Sequence, residues 1–118
     1  MALQSVDGSC QCGTIAYTVE VDPATAVACN CSRCSRLGVV WAFAPKSKFT
    51  LTSGQGKQGD YQFNKRVLHH RFCPTCGIEP YAEGKGKDGS EQVGINLRCV
   101  PSIDVNKLTP KQVDGRSA

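Results

Sequence analysis

Hydrophobic and polar residues alternate most clearly over residues 13–21. From its third position the segment reads Ile15, Ala16, Tyr17, Thr18, Val19, Glu20 and Val21. Successive side chains of a β-strand point to opposite faces, so this alternation predicts a strand with one buried, apolar face. The strand should end at Asp22-Pro23, because proline has no N–H to donate to a neighbouring strand.

Other segments also have the apolar character of strands. They are residues 39–44 and 49–52, a hairpin of 61–63 with 67–72 around Asn64-Lys65, and residues 91–100. Residues 39–44 (VVWAFA) are apolar on both faces, which predicts a central strand. Within 91–100, Val93, Ile95 and Leu97 share one face. The polar tail, 109–118, is expected to fray. The pattern as a whole predicts a mainly β, antiparallel domain.

Composition is consistent with one small domain. The 118 residues suit a single unit over 1–118 with a core of about 8–100, and the 12 glycines and 6 prolines favour turns over helix. Fourteen basic and ten acidic side chains give a formal charge of +4. Because the basic residues are scattered, we expect no nucleic-acid partner. The oligomeric state stays open.

The N-terminal residues carry no pattern of a secretory signal. Residues 1–7 lack a basic start and an apolar stretch. No apolar run approaches the ~20 residues that span a bilayer, so we expect no membrane partner. We therefore expect a cytoplasmic protein, in which eight cysteines are more suited to metal binding than to disulfides.

The eight cysteines form three clusters and one singleton, Cys99. The first and third clusters have two cysteines each, in C-x-C and C-x-x-C spacing: Cys10, Cys12, Cys73 and Cys76. Four thiolates around zinc lie at tetrahedral corners, and both spacings let two sulfurs converge on a metal. Glycine follows each pair and permits the positive φ of a tight turn. We predict a closed structural zinc site, with disulfides or free buried thiols as the alternative.

The second cluster holds three cysteines within six residues: Cys29, Cys31 and Cys34. One zinc with three protein ligands keeps an open position, which is typical of catalytic sites. The alternative is a second closed site, in which Cys99, His69 or His70 supplies the fourth ligand. The residues alone leave this choice open.

The cysteine motifs resemble the glutathione-dependent formaldehyde-activating enzyme family. The matching elements are Gly8-Ser9-Cys10-Gln11-Cys12-Gly13, the stretch from Cys29 to Cys34, Phe72-Cys73-Pro74-Thr75-Cys76-Gly77, and Asn96-Leu97-Arg98-Cys99. The resemblance implies a β-tent fold with two zinc ions. By the family pattern the first and third clusters hold the structural zinc, and the Cys29 cluster holds the zinc that meets substrate. The family often has histidine where this chain has Asn30; that position lies between ligands, so we expect the metal to be kept.

The function predicted on this basis is a carbon–sulfur lyase. It would join a small thiol, with glutathione implied by the resemblance, to an aldehyde as an S-hydroxymethyl adduct. Zinc lowers the pKa of a thiol, and holding both substrates together supplies proximity. Arg33, Arg36 and Arg98 are candidates to balance the negative charge of the thiolates.

Two other classes of function remain at this point. One is a non-enzymatic, zinc-stabilised binding module, which a site closed by Cys99 would favour. The other is a thiol redox or metal-buffering role. The fourth ligand of the Cys29 cluster distinguishes chemistry from scaffolding.

Overall fold

β-Strands form most of the framework in the computed structural model, which describes residues 3–63, 68–86 and 88–117. In chain order the strands are β1 (Gln4–Ser9), β2 (Ala16–Val21), β3 (Val27–Cys29), β4 (Trp41–Pro45), β5 (Phe49–Ser53), β6 (Gly59–Tyr61), β7 (Leu68–Phe72), β8 (Tyr81–Lys85), β9 (Glu91–Asn96) and β10 (Lys111–Val113). The α-helix α1 spans Ser32–Leu37, and short 3-10 helices cover Pro23–Thr25, Lys46–Lys48, Leu97–Cys99, Val105–Lys107 and Gly115–Ser117.

The strands form two sheets. The smaller sheet has the order β1-β2-β5, and the larger has the order β10-β3-β4-β9-β8-β7-β6. The paired strands are antiparallel, except that β10 runs parallel to β3. The prediction of a mainly β, antiparallel fold is confirmed. Within the described residues, no helix combines the length and apolar character needed to cross a membrane.

Strand β2 has the two faces that its alternation predicts. Tyr17, Val19 and Val21 are buried, whereas the residues between them are half-buried. Val19 pairs with Val6 of β1, which is also buried, so the apolar faces of both strands meet the same core. The phenol of Tyr17 donates a hydrogen bond of 3.0 Å to the carbonyl of Pro80 and so links this sheet to the segment before β8.

The central position predicted for residues 39–44 is confirmed. Strand β4 lies between β3 and β9, and Trp41, Ala42 and Ala44 are buried. The strand begins at Trp41 rather than at residue 39. Trp41 belongs to a smaller apolar cluster, separate from the main core, that surrounds Cys34. This strand therefore joins the core to the region of the second cysteine cluster.

Strand β9 is shorter than predicted. It ends at Asn96, whose side-chain oxygen accepts a hydrogen bond from the N–H of Arg98 and begins the 3-10 helix Leu97–Cys99. The prediction of a strand through residue 100 is wrong because this local bond competes with strand pairing. Leu97 is still fully buried, in line with its apolar neighbours Val93 and Ile95.

The predicted hairpin is present in part. Strands β6 and β7 are antiparallel, with Asp60 opposite Arg71. Strand β6 ends at Tyr61, so residues 62 and 63 do not belong to it. The predicted turn at Asn64-Lys65 and the first residue of the second strand lie outside the described residues.

The prediction that the tail frays is wrong. Strand β10 pairs with β3, and the N–H of Lys111 donates to the carbonyl of Ala26 at 2.9 Å. The three residues of β10 are exposed, so the strand has no buried face and the sequence no apolar alternation that would predict it. The pairing adds the tail to the edge of the larger sheet, beside the second cysteine cluster.

Candidate metal centres

The first and third cysteine clusters meet in one group of four sulfurs. The Sγ atoms of Cys10, Cys12, Cys73 and Cys76 all lie within 4.8 Å of one another. The Sγ of Cys12 is 3.7 Å from that of Cys10 and 3.7 Å from that of Cys73. Around a zinc ion with Zn–S bonds of ~2.3 Å, tetrahedral sulfurs lie ~3.8 Å apart. This group can hold a metal ion, and its geometry and all-sulfur donors fit zinc.

Two tight turns bring these sulfurs together. Cys10 directly follows β1, and the N–H of Gly13 donates to its carbonyl at 3.2 Å. Cys73 directly follows β7, and the N–H of Gly77 donates to its carbonyl at 2.7 Å. Gly13 and Gly77 have φ of 82° and 81°, the region that glycine occupies without strain. The role predicted for the glycine after each cysteine pair is confirmed.

The four thiols differ in how readily they ionise. Burial raises the pKa of Cys10 to about 11. Hydrogen bonds from the backbone N–H groups of Ile78 and Cys12 lower the pKa of Cys76 to about 6. The side chain of Thr14, 3.1 Å from the Sγ of Cys12, lowers the pKa of that thiol. A bound metal would draw all four into the thiolate form, since thiolate is the ligand.

The second cluster is a separate group of three sulfurs. The Sγ atoms of Cys29, Cys31 and Cys34 lie within 4.8 Å of one another. Cys29 ends β3, Cys31 is the N-cap of α1, and Cys34 lies in the first turn of the helix. The N–H of Cys34 donates to the Sγ of Cys31 at 3.3 Å. The group can therefore hold a metal ion with three protein sulfurs.

Sequence reasoning missed helix α1, which sets this geometry. Cys31 caps its first turn, and Gly38 ends it with φ of 68°. A cap with a thiol acceptor does not match the usual Ser, Thr, Asp or Asn signal, and six residues are too few for a helical repeat of apolar positions. Gly38 after Leu37 was the available signal, since glycine commonly ends a helix in this conformation.

Hydrogen bonds and burial act differently on these thiols. Burial acts to raise the pKa of Cys31, but hydrogen bonds from the backbone N–H groups of Cys34 and Arg33 outweigh it and lower that pKa. Burial raises the pKa of Cys34 to about 12, and the indole N–H of Trp41, 3.3 Å from its Sγ, offsets only part of this effect.

None of the candidates for a fourth ligand completes this group. Among the described residues, the three-sulfur group includes no further cysteine, histidine or carboxylate. The Sγ of Cys99 is 3.9 Å from the carbonyl oxygen of Glu79. The Nδ1 of His69 contacts Asp60 at 3.1 Å, and the Nδ1 of His70 contacts a carboxylate oxygen of Glu79 at 2.8 Å.

The three arginines considered as counter-charges have other contacts. Arg33 donates to the Oε1 of Glu79 through both Nε and Nη2, and its guanidinium lies 4.4 Å from the centre of the Tyr61 ring. Arg36 donates to the carbonyl of Ser32 within α1 at 2.8 Å. Arg98 donates to the carbonyl of Gly38 at 2.8 Å and thereby ties the end of α1 to the segment after β9.

The C-terminal tail packs directly against the three-sulfur group. A Cβ atom added at Gly115 would overlap the Sγ of Cys29. Asn30 holds the tail from the other side. Its amide donates to a carboxylate oxygen of Asp114 at 3.0 Å, and its carbonyl oxygen accepts from the N–H of Arg116 at 2.9 Å. The residue that departs from the family pattern thus anchors the tail, a role that sequence reasoning did not suggest.

A cavity of about 840 Å³ opens beside this group. Its lining includes the three cysteines and a set of apolar residues: Val27, Trp41, Phe43, Phe63, Leu68 and Val113. This volume lies in the range of small-molecule sites. The cavity is large enough to admit a thiol and an aldehyde together next to the cysteines.

Comparison with known proteins agrees with this architecture. The family model described as "Glutathione-dependent formaldehyde-activating enzyme" matches residues 5–113. The fold is also similar to the crystal structure of a Rhodobacter sphaeroides protein, with a TM-score of 0.78 and 30% sequence identity, over 90% of this chain and 97% of that one. The chain belongs to the glutathione-dependent formaldehyde-activating enzyme family.

Proposed function

We propose that the chain is a single-domain, cytoplasmic zinc enzyme, a carbon–sulfur lyase that joins a small thiol to an aldehyde and cleaves the adduct in the reverse direction. The observation that carries this proposal is a group of three cysteine sulfurs beside a cavity of small-molecule size. Family membership supports glutathione and formaldehyde as the substrates. The eight cysteines, all free, support a reducing compartment.

The catalytic zinc would be held by Cys29, Cys31 and Cys34. When bound there, zinc supplies a positive centre that lowers the pKa of a substrate thiol and favours the nucleophilic thiolate. Three protein ligands and no fourth within the described part of the chain match the arrangement of catalytic zinc sites. A site closed by Cys99 would favour the non-enzymatic alternative, but the sulfur of Cys99 contacts the carbonyl of Glu79.

The chain's own groups orient the ligands and shape the reaction space. The indole N–H of Trp41 and the backbone N–H of Cys34 each donate to a sulfur of the group and so hold those sulfurs in place. Apolar walls keep water away from a bound aldehyde and strengthen polar interactions in the cavity. Holding thiol and aldehyde side by side converts an encounter of two molecules into a reaction within one complex.

The other zinc would be structural, held by Cys10, Cys12, Cys73 and Cys76. All four coordination positions are then occupied by protein sulfur, and none is left for substrate. The site joins the end of β1 to the end of β7, two strands that belong to different sheets. It therefore acts as a cross-link between the sheets.

The proposal is tested by metal content and by exchange kinetics on the same preparations. Two zinc ions per chain are expected, together with faster NMR-detected exchange between formaldehyde, glutathione and their S-hydroxymethyl adduct. Cys31→Ser should keep one zinc and lose the acceleration. Cys99→Ser, the matched control outside both groups, should keep two zinc ions and the acceleration. Acceleration that survives in Cys31→Ser, or is absent from the two-zinc protein, would refute the proposed function.

A further inference from the structure

One buried histidine in the cavity has a ring nitrogen without a partner. His70 is 3% exposed and lines the same cavity as the three cysteines. Its Nδ1 contacts Glu79, whereas its Nε2 is buried and has no hydrogen-bond partner among the residues that the structure describes. Buried polar atoms are nearly always paired, so an unpaired one in a small-molecule cavity indicates a contact that a ligand completes.

The surroundings of Glu79 determine which nitrogen of His70 is available. Arg33 occupies one carboxylate oxygen of Glu79, and the Nδ1 of His70 occupies the other. A carboxylate paired with an arginine only accepts hydrogen bonds, so Nδ1 must carry the proton. A neutral imidazole then has its free electron pair on Nε2. The chain Arg33–Glu79–His70 thus prepares a proton acceptor.

Aromatic neighbours hold the ring in a fixed orientation, and one of them also contacts the cysteine group. Its centroid lies 6.4 Å from that of Trp41, whose indole N–H donates to the Sγ of Cys34. On another side the ring of Phe63 lies 5.4 Å away, centroid to centroid. Trp41 therefore packs against the imidazole and contacts the sulfur group, and the hydrogen bond from Nδ1 to Glu79 fixes the other edge of the ring.

We propose that Nε2 of His70 is the catalytic proton acceptor and donor for the thiol–aldehyde reaction, an inference that rests on the proposed function. The thiol S–H bond breaks and its proton moves to Nε2, while the sulfur electron pair forms a bond to the aldehyde carbon. The π electrons of the carbonyl move to its oxygen, and this oxygen takes the proton from Nε2. Protons and electrons balance, and the reverse order cleaves the carbon–sulfur bond. Glu79 and Arg33 are positioning residues.

The chain offers a matched control for this role. His69 is the other of its two histidines, is partly exposed, and contacts Asp60 rather than Glu79. In exchange kinetics with formaldehyde and glutathione, His70→Gln should slow the catalysed rate by about 100-fold or more, as expected for loss of a general acid–base group. His69→Gln should stay within about twofold of the original rate, because it removes no acid–base group from the cavity. Both variants should retain two zinc ions.

A spectroscopic measurement on the unaltered protein tests the same claim without a variant. Long-range ¹H–¹⁵N spectra of the zinc-loaded protein contain two imidazole rings, and the spectrum of His69→Gln assigns them. The ring of His70 should be protonated at Nδ1 and not at Nε2. Addition of glutathione and formaldehyde should shift the Nε2 resonance of His70 and leave that of His69 in place.

The outcomes separate the two proposals. An active protein whose His70→Gln variant keeps its rate refutes the role of His70 and leaves the proposed function intact. An original protein without acceleration refutes the proposed function itself. If His70→Gln does not fold, the spectra decide: a proton on Nε2, or a resonance that ignores the substrates, overturns the inference.

Discussion

Loss of one cysteine ligand should strongly lower the unfolding free energy in the four-sulfur group and hardly change it in the three-sulfur group. The four-sulfur group joins Cys12 to Cys73, which are 61 positions apart. Closing a loop of this length constrains the unfolded chain by about 4 kcal/mol at 25 °C. Structural zinc sites in small domains contribute apparent binding energies of ~10–16 kcal/mol. A domain of this size has a net stability of roughly 6–18 kcal/mol, so the cross-link alone is a large fraction of the total.

We therefore expect Cys76→Ser to lose at least about 4 kcal/mol of unfolding free energy, which corresponds to a fall in Tm of roughly 15 °C. Cys31→Ser should lose one zinc and stay within a few degrees of the original Tm, because the three-sulfur group joins residues only five positions apart. Cys99→Ser is the control for a thiol-to-hydroxyl change at a half-buried position outside both groups. Calorimetry with metal analysis measures all three. Equal melting of Cys76→Ser and Cys31→Ser would refute the division into a structural and a catalytic site.

Three further changes test individual contacts. Tyr17→Phe should cost about 1 kcal/mol in urea unfolding, because the Pro80 carbonyl loses the phenol but keeps the N–H of Asn96; an unchanged midpoint would contradict this. Gly115→Ala should weaken zinc binding to the Cys29 group by about tenfold in chelator competition, since the new Cβ meets the Cys29 sulfur; equal affinity would show that the tail does not support the site. Glu79→Gln should lower kcat by about tenfold or more with little change in KM. Arg33 would keep the amide oxygen, so the amide NH2 would donate to Nδ1 of His70 and the imidazole spectrum should show the proton on Nε2. An unchanged tautomer would remove Glu79 from the positioning role.

Strand β10, in the C-terminal tail, is an element that the sequence pattern could not predict. Strand β10 has no buried residue, and its partner β3 is three residues long. Neither segment has a hydrophobic period, so no pattern in the sequence announces their pairing. It consists of backbone hydrogen bonds, such as Lys111 to Ala26, and of the bonds of Asn30 with Asp114 and Arg116. These residues are more than 80 positions apart in the chain. A contact of this kind is decided by which surfaces the rest of the fold brings together.

The candidate site also has parts that the sequence indicated and parts that only the fold brings together. Spacing within each cysteine cluster is a local property, so the sequence alone indicated the metal-binding clusters and the glycine turns of the first and third. Counting ligands then suggested that these two clusters share one metal. The sequence also determined the faces of β2 and the central place of β4, because burial follows side-chain alternation within one segment. The contacts of His70, Glu79 and Arg33 form only because β7, the segment before β8 and α1, which carry these residues in that order, pack together beside the cavity. Only the tertiary structure decides such a meeting, because the chain order of isolated charged residues carries no information about their distance in space.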